Sequence, residues 1–241
     1  GAFFWPVART VAGHRVSSRG HGSTHQGLRQ TRACAHQLCE PDADRMSTLF
    51  RSNLDQHLAL FGRLAALDDA VMGAAHIVAD CLRQGGKLLI CGNGGSAADS
   101  QHIASEFTGR FMAERRPLAA LALGTCVPEL TSIGNDYRFA EVFARQVAGL
   151  GRAGDCLMAI STSGQSENVV RAVQTARELG LRTIGLLGHD GGRLAPLCEL
   201  AVIVPDVVTA RIQEAHMLIG HTICGAVEQQ LGLVPVPGDT R

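Results

Sequence analysis

The sequence is almost without lysine: Lys87 is the only one in 241 residues. Schiff-base chemistry and pyridoxal phosphate attachment therefore have almost nowhere to form. It also lacks net charge, since 22 Lys and Arg balance 22 Asp and Glu. No global positive field exists to draw in nucleic acid or an anionic membrane, so neither is an expected partner. No uninterrupted apolar run approaches the roughly 18 to 20 residues that a membrane span requires. The eight cysteines form no CxxC pair, and most sit inside apolar runs where a free thiol behaves as a small hydrophobe. That usage fits a reducing, cytoplasmic compartment. There is no G-x-S-x-G elbow and no Walker A loop, which sets aside hydrolase and nucleotide-kinase readings. The length suffices for one sizeable α/β core or two small domains.

Composition divides the chain near residue 45. Residues 1–45 hold six Arg against three acidic residues, with four of the ten His, in a Ser/Gly/His/Arg-rich stretch without amphipathic period. Such a segment has little with which to bury a core. We expect it to be a disordered or non-native extension, translated upstream sequence or a cloning remnant. Glu40, Asp42 and Asp44 argue against an acid-poor transit peptide. Met46, the first methionine, precedes a helical pattern, and 46–241 reads as a single domain with an N-terminal helical region.

Two helical patterns run from Ser47 to about Gln84, the second opening on Asp68 and Asp69, acids suited to a helix N-terminus. After Gly85-Gly86, strand-length apolar runs alternate with helical patterns. The runs are Lys87–Cys91, Leu118–Leu123, Cys156–Ile160, Thr183–Leu187 and Leu200–Val204. Helical patterns cover Ala97–Thr108, about Val127–Leu150 with a break at Gly134-Asn135-Asp136, Glu167–Leu179, and about Thr209–Leu231. Continuous apolar strands joined by helices predict an α/β fold, a doubly wound five-stranded parallel sheet covered on both faces. Ligands of such sheets bind beyond the carboxyl ends of the strands.

Two loops there carry chemistry. The first, Cys91-Gly92-Asn93-Gly94-Gly95-Ser96-Ala97, formally satisfies a dinucleotide fingerprint, but no acidic residue ends the second strand to hold a ribose. Glycines that let backbone amides approach an anion at a helix N-terminus suit a phosphorylated small molecule better. The second, Ser161-Thr162-Ser163-Gly164-Gln165-Ser166, places four hydroxyls around a glycine at another helix start. One hydroxyl suffices for an N-cap, so four point to phosphate. Among the ionisable groups, His102 and Glu106 stand at i, i+4. Gln213, Met217 and His221 fall within an arc of about 80° on the last helix. Each pair alone is an ordinary surface contact or a core histidine. Together two His, a Glu and a Gln make a four-ligand N/O set of the zinc type. His57, His76, His189 and His216 have no comparable partner and are assigned to structure or surface.

The segments CGNGGSAADSQHIASEFTGRF from Cys91, IGNDYRFAEVFARQV from Ile133, GDCLMAISTSGQSENVVRA from Gly154, LLGHDGG from Leu186 and ARIQEAHMLIGH from Ala210 together resemble the sugar isomerase (SIS) domain family. Within it they are similar to the sedoheptulose 7-phosphate isomerases of bacterial heptose biosynthesis, and the resemblance spans Met46 onward. It implies a SIS-type sandwich, a homotetramer with active sites between subunits, one Zn(2+) per subunit, and conversion of sedoheptulose 7-phosphate to a D-glycero-heptose 7-phosphate. By motif it implies substrate contacts at Asn93, Gly94, Gly95, Ser96, Arg110, Asn135, Asp136, Ser161, Thr162, Ser163, Ser166 and Gln213. It implies zinc ligands at His102, Glu106, Gln213 and His221, with Glu106 as catalytic base and His221 as acid. Cys126 stands where relatives usually carry Asp, a departure that bears on substrate contacts from that loop.

A ketose to aldose interconversion moves a proton between C1 and C2 through an enediol, which needs a base for the carbon-bound proton and an acid for the neighbouring oxygen. The alternative is a non-catalytic member of the same fold, similar to the DnaA-initiator-associating proteins, which would bind a replication initiator. That group lacks the carboxylate and histidine that stand here as Glu106 and His221. A third reading, a sugar-phosphate-sensing effector domain, normally accompanies a helix-turn-helix, and the N-terminal helices show no basic recognition helix.

Overall fold

The computed structural model describes residues 43–234. The chain divides into two units, Gly1–Asp42 and Ala43–Arg241. The expectation for residues 1–45 lies outside the described residues except at its end, where the first helix already begins at Ala43.

The two N-terminal helices are α1 (Ala43–Phe61) and α2 (Asp68–Arg83), joined through a 3-10 turn at Leu64–Leu67. Asp68 and Asp69 occupy the first turn of α2 and Arg83 the last, both favourable to the helix dipole. Alternation of strand and helix follows: β1 (Leu88–Gly92), α3 (Gly95–Thr108), β2 (Ala120–Ala122), α4 (Val127–Asp136), α5 (Val142–Leu150), β3 (Cys156–Ser161), α6 (Glu167–Glu178), β4 (Arg182–Gly188), β5 (Leu200–Val204) and α7 (Thr209–Gln230). The expected break at Gly134–Asp136 is the end of α4.

All strand pairs are parallel, in the order β2-β1-β3-β4-β5. Alternation along each strand feeds two cores. Leu88, Ile90, Cys156, Met158, Ile160, Ile184 and Leu186 point into a layer with α2, α3 and α7. Leu89, Cys91, Leu157, Ala159 and Leu187 point into a layer with α5 and α6. Burial on both faces explains why these strands read as continuous apolar runs. Each fully buried Leu or Ile contributes on the order of 1.5–3 kcal/mol.

The expected strand at Leu118–Leu123 shrinks to three residues. Leu118 is buried, yet its N–H donates to the Phe107 carbonyl rather than to a neighbouring strand. Lys87 sits at the opposite end of the sheet from the loops: its ammonium bonds Asp155 at 2.5 Å, and its backbone N–H donates to the same carboxylate at 2.9 Å. The sole lysine clips the start of β1 to the start of β3.

Candidate active site

Strand order reverses between β1 and β3, and ligands of open parallel sheets bind beyond the carboxyl ends at that switch point. The two loops singled out in the sequence leave the sheet there. In the first, Ser96 N–H donates to Asn93 O and Ala97 N–H to Gly94 O, both at 3.0 Å, so the turn closes upon itself at the start of α3. The amides of Gly94 and Gly95 have no partner among the described backbone hydrogen bonds, and they stand at the positive end of α3. A Cβ at Gly95 would lie 2.3 Å from Gln213 Nε2, so a larger residue there would displace that side chain. The α7 amide thus rests directly on the first loop. Ser96 is buried.

The serine loop organises itself. Ser161 Oγ accepts from Gly164 N–H at 3.1 Å, Ser163 Oγ accepts from Gln165 N–H at 3.2 Å, and Ser161 and Ser166 hydroxyls lie 3.4 Å apart. The Ser163 oxygen accepts, so its O–H remains available to a ligand. The hydroxyl of Thr162 carries no hydrogen bond among the described residues. The two loops are braced together: Asn93 Nδ2 donates to Asn168 Oδ1 at 2.9 Å, and Asn168 Nδ2 donates back to Asn93 Oδ1 at 2.8 Å. The Asn93 side chain therefore holds the first loop against the start of α6.

On the α3–α7 layer, His102 Nε2 lies 3.2 Å from Glu106 Oε1 and 3.2 Å from His221 Nε2. The donor atoms of these three side chains all fall within 4.8 Å of one another, the only such group of three among the described residues. Ligands at about 2.0–2.2 Å from a zinc ion stand some 3–3.5 Å apart, so two imidazoles and a carboxylate converging in this way fit that ion. Phe111 stacks on the His221 ring at 5.4 Å between centroids and limits its orientation.

Two residues missed in the sequence support this cluster. Arg115 is buried in the loop after α3, pairs with Glu228 of α7 at 2.6 Å, and donates to the carbonyls of Glu106 (2.6 Å), Phe107 (2.9 Å) and Gly109 (3.1 Å). It closes the C-terminus of α3 beneath Glu106 and ties it to α7. An Arg after a helix is a recognisable C-terminal signal, but its pairing with Glu228 lies 113 residues away. Asp99, one turn before His102, has a buried Oδ2 without a hydrogen-bond partner. Burial pushes its carboxyl up, and the nearby His102 opposes that rise.

Other expected site residues lie on the surface. Asn135 and Asp136 end α4, on the α5–α6 side of the sheet, exposed and hydrogen-bonded to each other at 2.9 Å. Arg110 is exposed just after α3, and Cys126 is exposed at the N-cap of α4. The remaining histidines have other tasks. His57 bonds Glu214 at 2.8 Å, His76 faces Asp80 at 3.2 Å, and His216 is buried against the Leu187 carbonyl at 3.1 Å. His189 is exposed, with φ of 55°.

The fold is a doubly wound sheet with two loops rich in amides and hydroxyls at its switch point and a His-Glu-His cluster between α3 and α7, and the chain belongs to the SIS domain family, whose model matches residues 54–188. Within that family its relatives are phosphoheptose isomerases. The phosphoheptose isomerase of Helicobacter hepaticus is 49% identical over 187 residues, 78% of this chain and 95% of the relative. That of Nitratiruptor sp. is 54% identical over 156 residues, 65% of this chain and 83% of the relative. Among solved structures, the phosphoheptose isomerase of Neisseria gonorrhoeae is 43% identical with a TM-score of 0.69, covering 77% of this chain and 98% of that one. The enzyme from Francisella tularensis is 38% identical with a TM-score of 0.71, covering 79% and 100%.

Proposed function

We propose that the protein is an aldose-ketose isomerase that converts D-sedoheptulose 7-phosphate to D-glycero-D-manno-heptose 7-phosphate, supplying bacterial heptose biosynthesis. The observation that carries this reading is the convergence of His102 and Glu106, on the helix that the first phosphate-suited loop opens, with His221 of α7, in a chain whose relatives are phosphoheptose isomerases. The substrate phosphate is held by the hydroxyls of Ser161, Thr162, Ser163 and Ser166 and by the amides of Gly94 and Gly95, with Ser96 and Gln213 beside them. Glu106 takes the proton from C1 while His221 gives one to the C2 oxygen, forming the enediol. Reprotonation at C2 and removal of the O1 proton complete the exchange, with no net gain or loss of atoms. His102, Glu106, Gln213 and His221 would hold Zn(2+), one per subunit. When bound, that ion polarises the substrate oxygens as a Lewis acid.

The reading extends to a cytoplasmic homotetramer. Leu49, Phe50, Leu54 and Leu58 of α1 are exposed apolar residues, available to a second copy. A neighbour would also bring Asn135 and Asp136, which end α4 on the α5–α6 side of the sheet, toward a shared site. No described helix is long and apolar enough to cross a membrane. The deciding experiment incubates zinc-loaded protein with sedoheptulose 7-phosphate and looks for an aldoheptose phosphate; its absence refutes the assignment.

A further inference from the structure

The Gly-His-Asp-Gly-Gly turn after β4 takes no part in the chemistry above, yet it is the surface against which the serine loop is moulded. A Cβ on Gly164 would lie 2.1 Å from the Gly191 carbonyl oxygen and 2.8 Å from the Gly192 nitrogen. A Cβ on Gly192 would lie 2.8 Å from both the Ser163 and Gly164 carbonyl oxygens, and one on Gly188 would lie 2.4 Å from the Thr162 carbonyl oxygen. These obstacles are backbone atoms, which cannot swing aside as a flexible side chain does. Leu194 N–H donates to Gly164 O at 3.1 Å, which fastens the two loops. The turn itself is set by Asp190, whose Oδ1 accepts from Gly192 N–H at 3.0 Å.

We propose that this turn is the template for the phosphate loop and that Gly192 is a positioning residue for the substrate phosphate, acting through Ser163 and Gly164. The inference rests on the serine loop's being the phosphate site. Gly192 has a left-handed φ of +51°, so Gly192→Ala brings both backbone strain and a clash. Gly85 separates the two effects: its φ is +84° and nothing lies within 4 Å of a Cβ there, at the far end of the sheet. Gly85→Ala therefore carries the strain without the clash.

The test compares full-length, zinc-loaded wild type, Gly192→Ala and Gly85→Ala for KM and kcat with sedoheptulose 7-phosphate, for inhibition by inorganic phosphate, and for zinc affinity. Gly192→Ala should raise both KM and the phosphate inhibition constant by about tenfold or more, a little over 1 kcal/mol, with zinc affinity unchanged. Gly85→Ala should move neither. A folded Gly192→Ala whose KM and phosphate affinity match those of Gly85→Ala overturns the proposal. Where Gly192→Ala does not fold, Asp190→Ala at an exposed position carries the test, with a smaller shift in the same direction expected and no shift overturning it. A wild type that turns over no sedoheptulose 7-phosphate refutes the isomerase reading alone, and direct calorimetric titration with inorganic phosphate then decides the positioning role. A wild type that binds no phosphate overturns both.

Discussion

His216 fastens α7, the helix that carries Gln213 and His221, to the end of β4, and it does so as a neutral imidazole. Its Nε2–H donates to the Leu187 carbonyl at 3.1 Å, while Nδ1 is buried without a partner. Burial pushes its pKa down to about 4 from the ordinary 6.5, partly offset by the bond to Leu187. Because the folded state refuses a proton that the unfolded state accepts, the histidine's contribution is fully present above pH 6.5 and is lost as pH falls towards 4. The interval corresponds to about 3 kcal/mol in all, of which about 2 kcal/mol is lost between pH 7 and pH 5. For a folded unit of this size that is a fall of about 4–8 °C in melting temperature. His216→Gln can retain a donor for Leu187 and has nothing to titrate. Melting curves in chelator at pH 7 and pH 5 should show the wild type losing about 4–8 °C more than the variant over that interval. The two proteins differ at position 216 alone, so the difference between their curves reports that residue. Parallel pH dependence in the two would refute the argument that this imidazole is held neutral by burial.

The remaining expectations concern the site. Glu106→Gln keeps volume but loses the base, so kcat should fall by roughly 100-fold to 10,000-fold while phosphate binding persists; near wild-type turnover in steady-state kinetics would sink the mechanism. Ser163→Ala removes one donor from the phosphate loop and should chiefly raise KM, by several-fold for a bond of about 1 kcal/mol, with kcat little changed. His221→Asn should weaken zinc binding by calorimetry and lower activity together, and undiminished zinc affinity would remove His221 from the ligand set. Arg115 and Glu228 side chains are 2% and 1% exposed, so Arg115→Ala strands a buried carboxylate and should cost about 3–5 kcal/mol in denaturant unfolding. A loss below about 1 kcal/mol would show that Glu228 is not charged in the native core.

The sequence made the five strands legible because each is buried on both faces, which leaves an unbroken apolar run bounded by glycines and helical periods. Leu118–Leu123 shows the limit of that signal. Leu118 is apolar for packing, but its N–H bonds Phe107, and the regular strand is Ala120–Ala122, with the Ala119 carbonyl and the Leu123 N–H bonding β1 at its two ends. The start of α3 lies at Gly95 rather than Ala97, because the turn closes on Asn93 and Gly94 carbonyls before the first non-glycine helix former. What distinguishes Arg115 is a partner 113 residues away, and what distinguishes Asp99 is its burial, and neither is legible in local sequence.

Local chemistry was therefore written in the sequence: which segments are strands, which loops gather glycines and hydroxyls at helix starts, and that His102 shares a helix face with Glu106 as Gln213 does with His221. Periodicity reports only neighbours within a few residues, because side-chain direction repeats within one element and says nothing of which elements meet. The order β2-β1-β3-β4-β5 placed the glycine loop and the serine loop side by side at the switch point. Packing of α3 against α7 in one core brought His221 within 3.2 Å of His102, 119 residues earlier. The glycine turn after β4 became the mould for the serine loop for the same reason: parallel pairing of β3 with β4 set their carboxyl ends next to each other, where only a residue without Cβ fits.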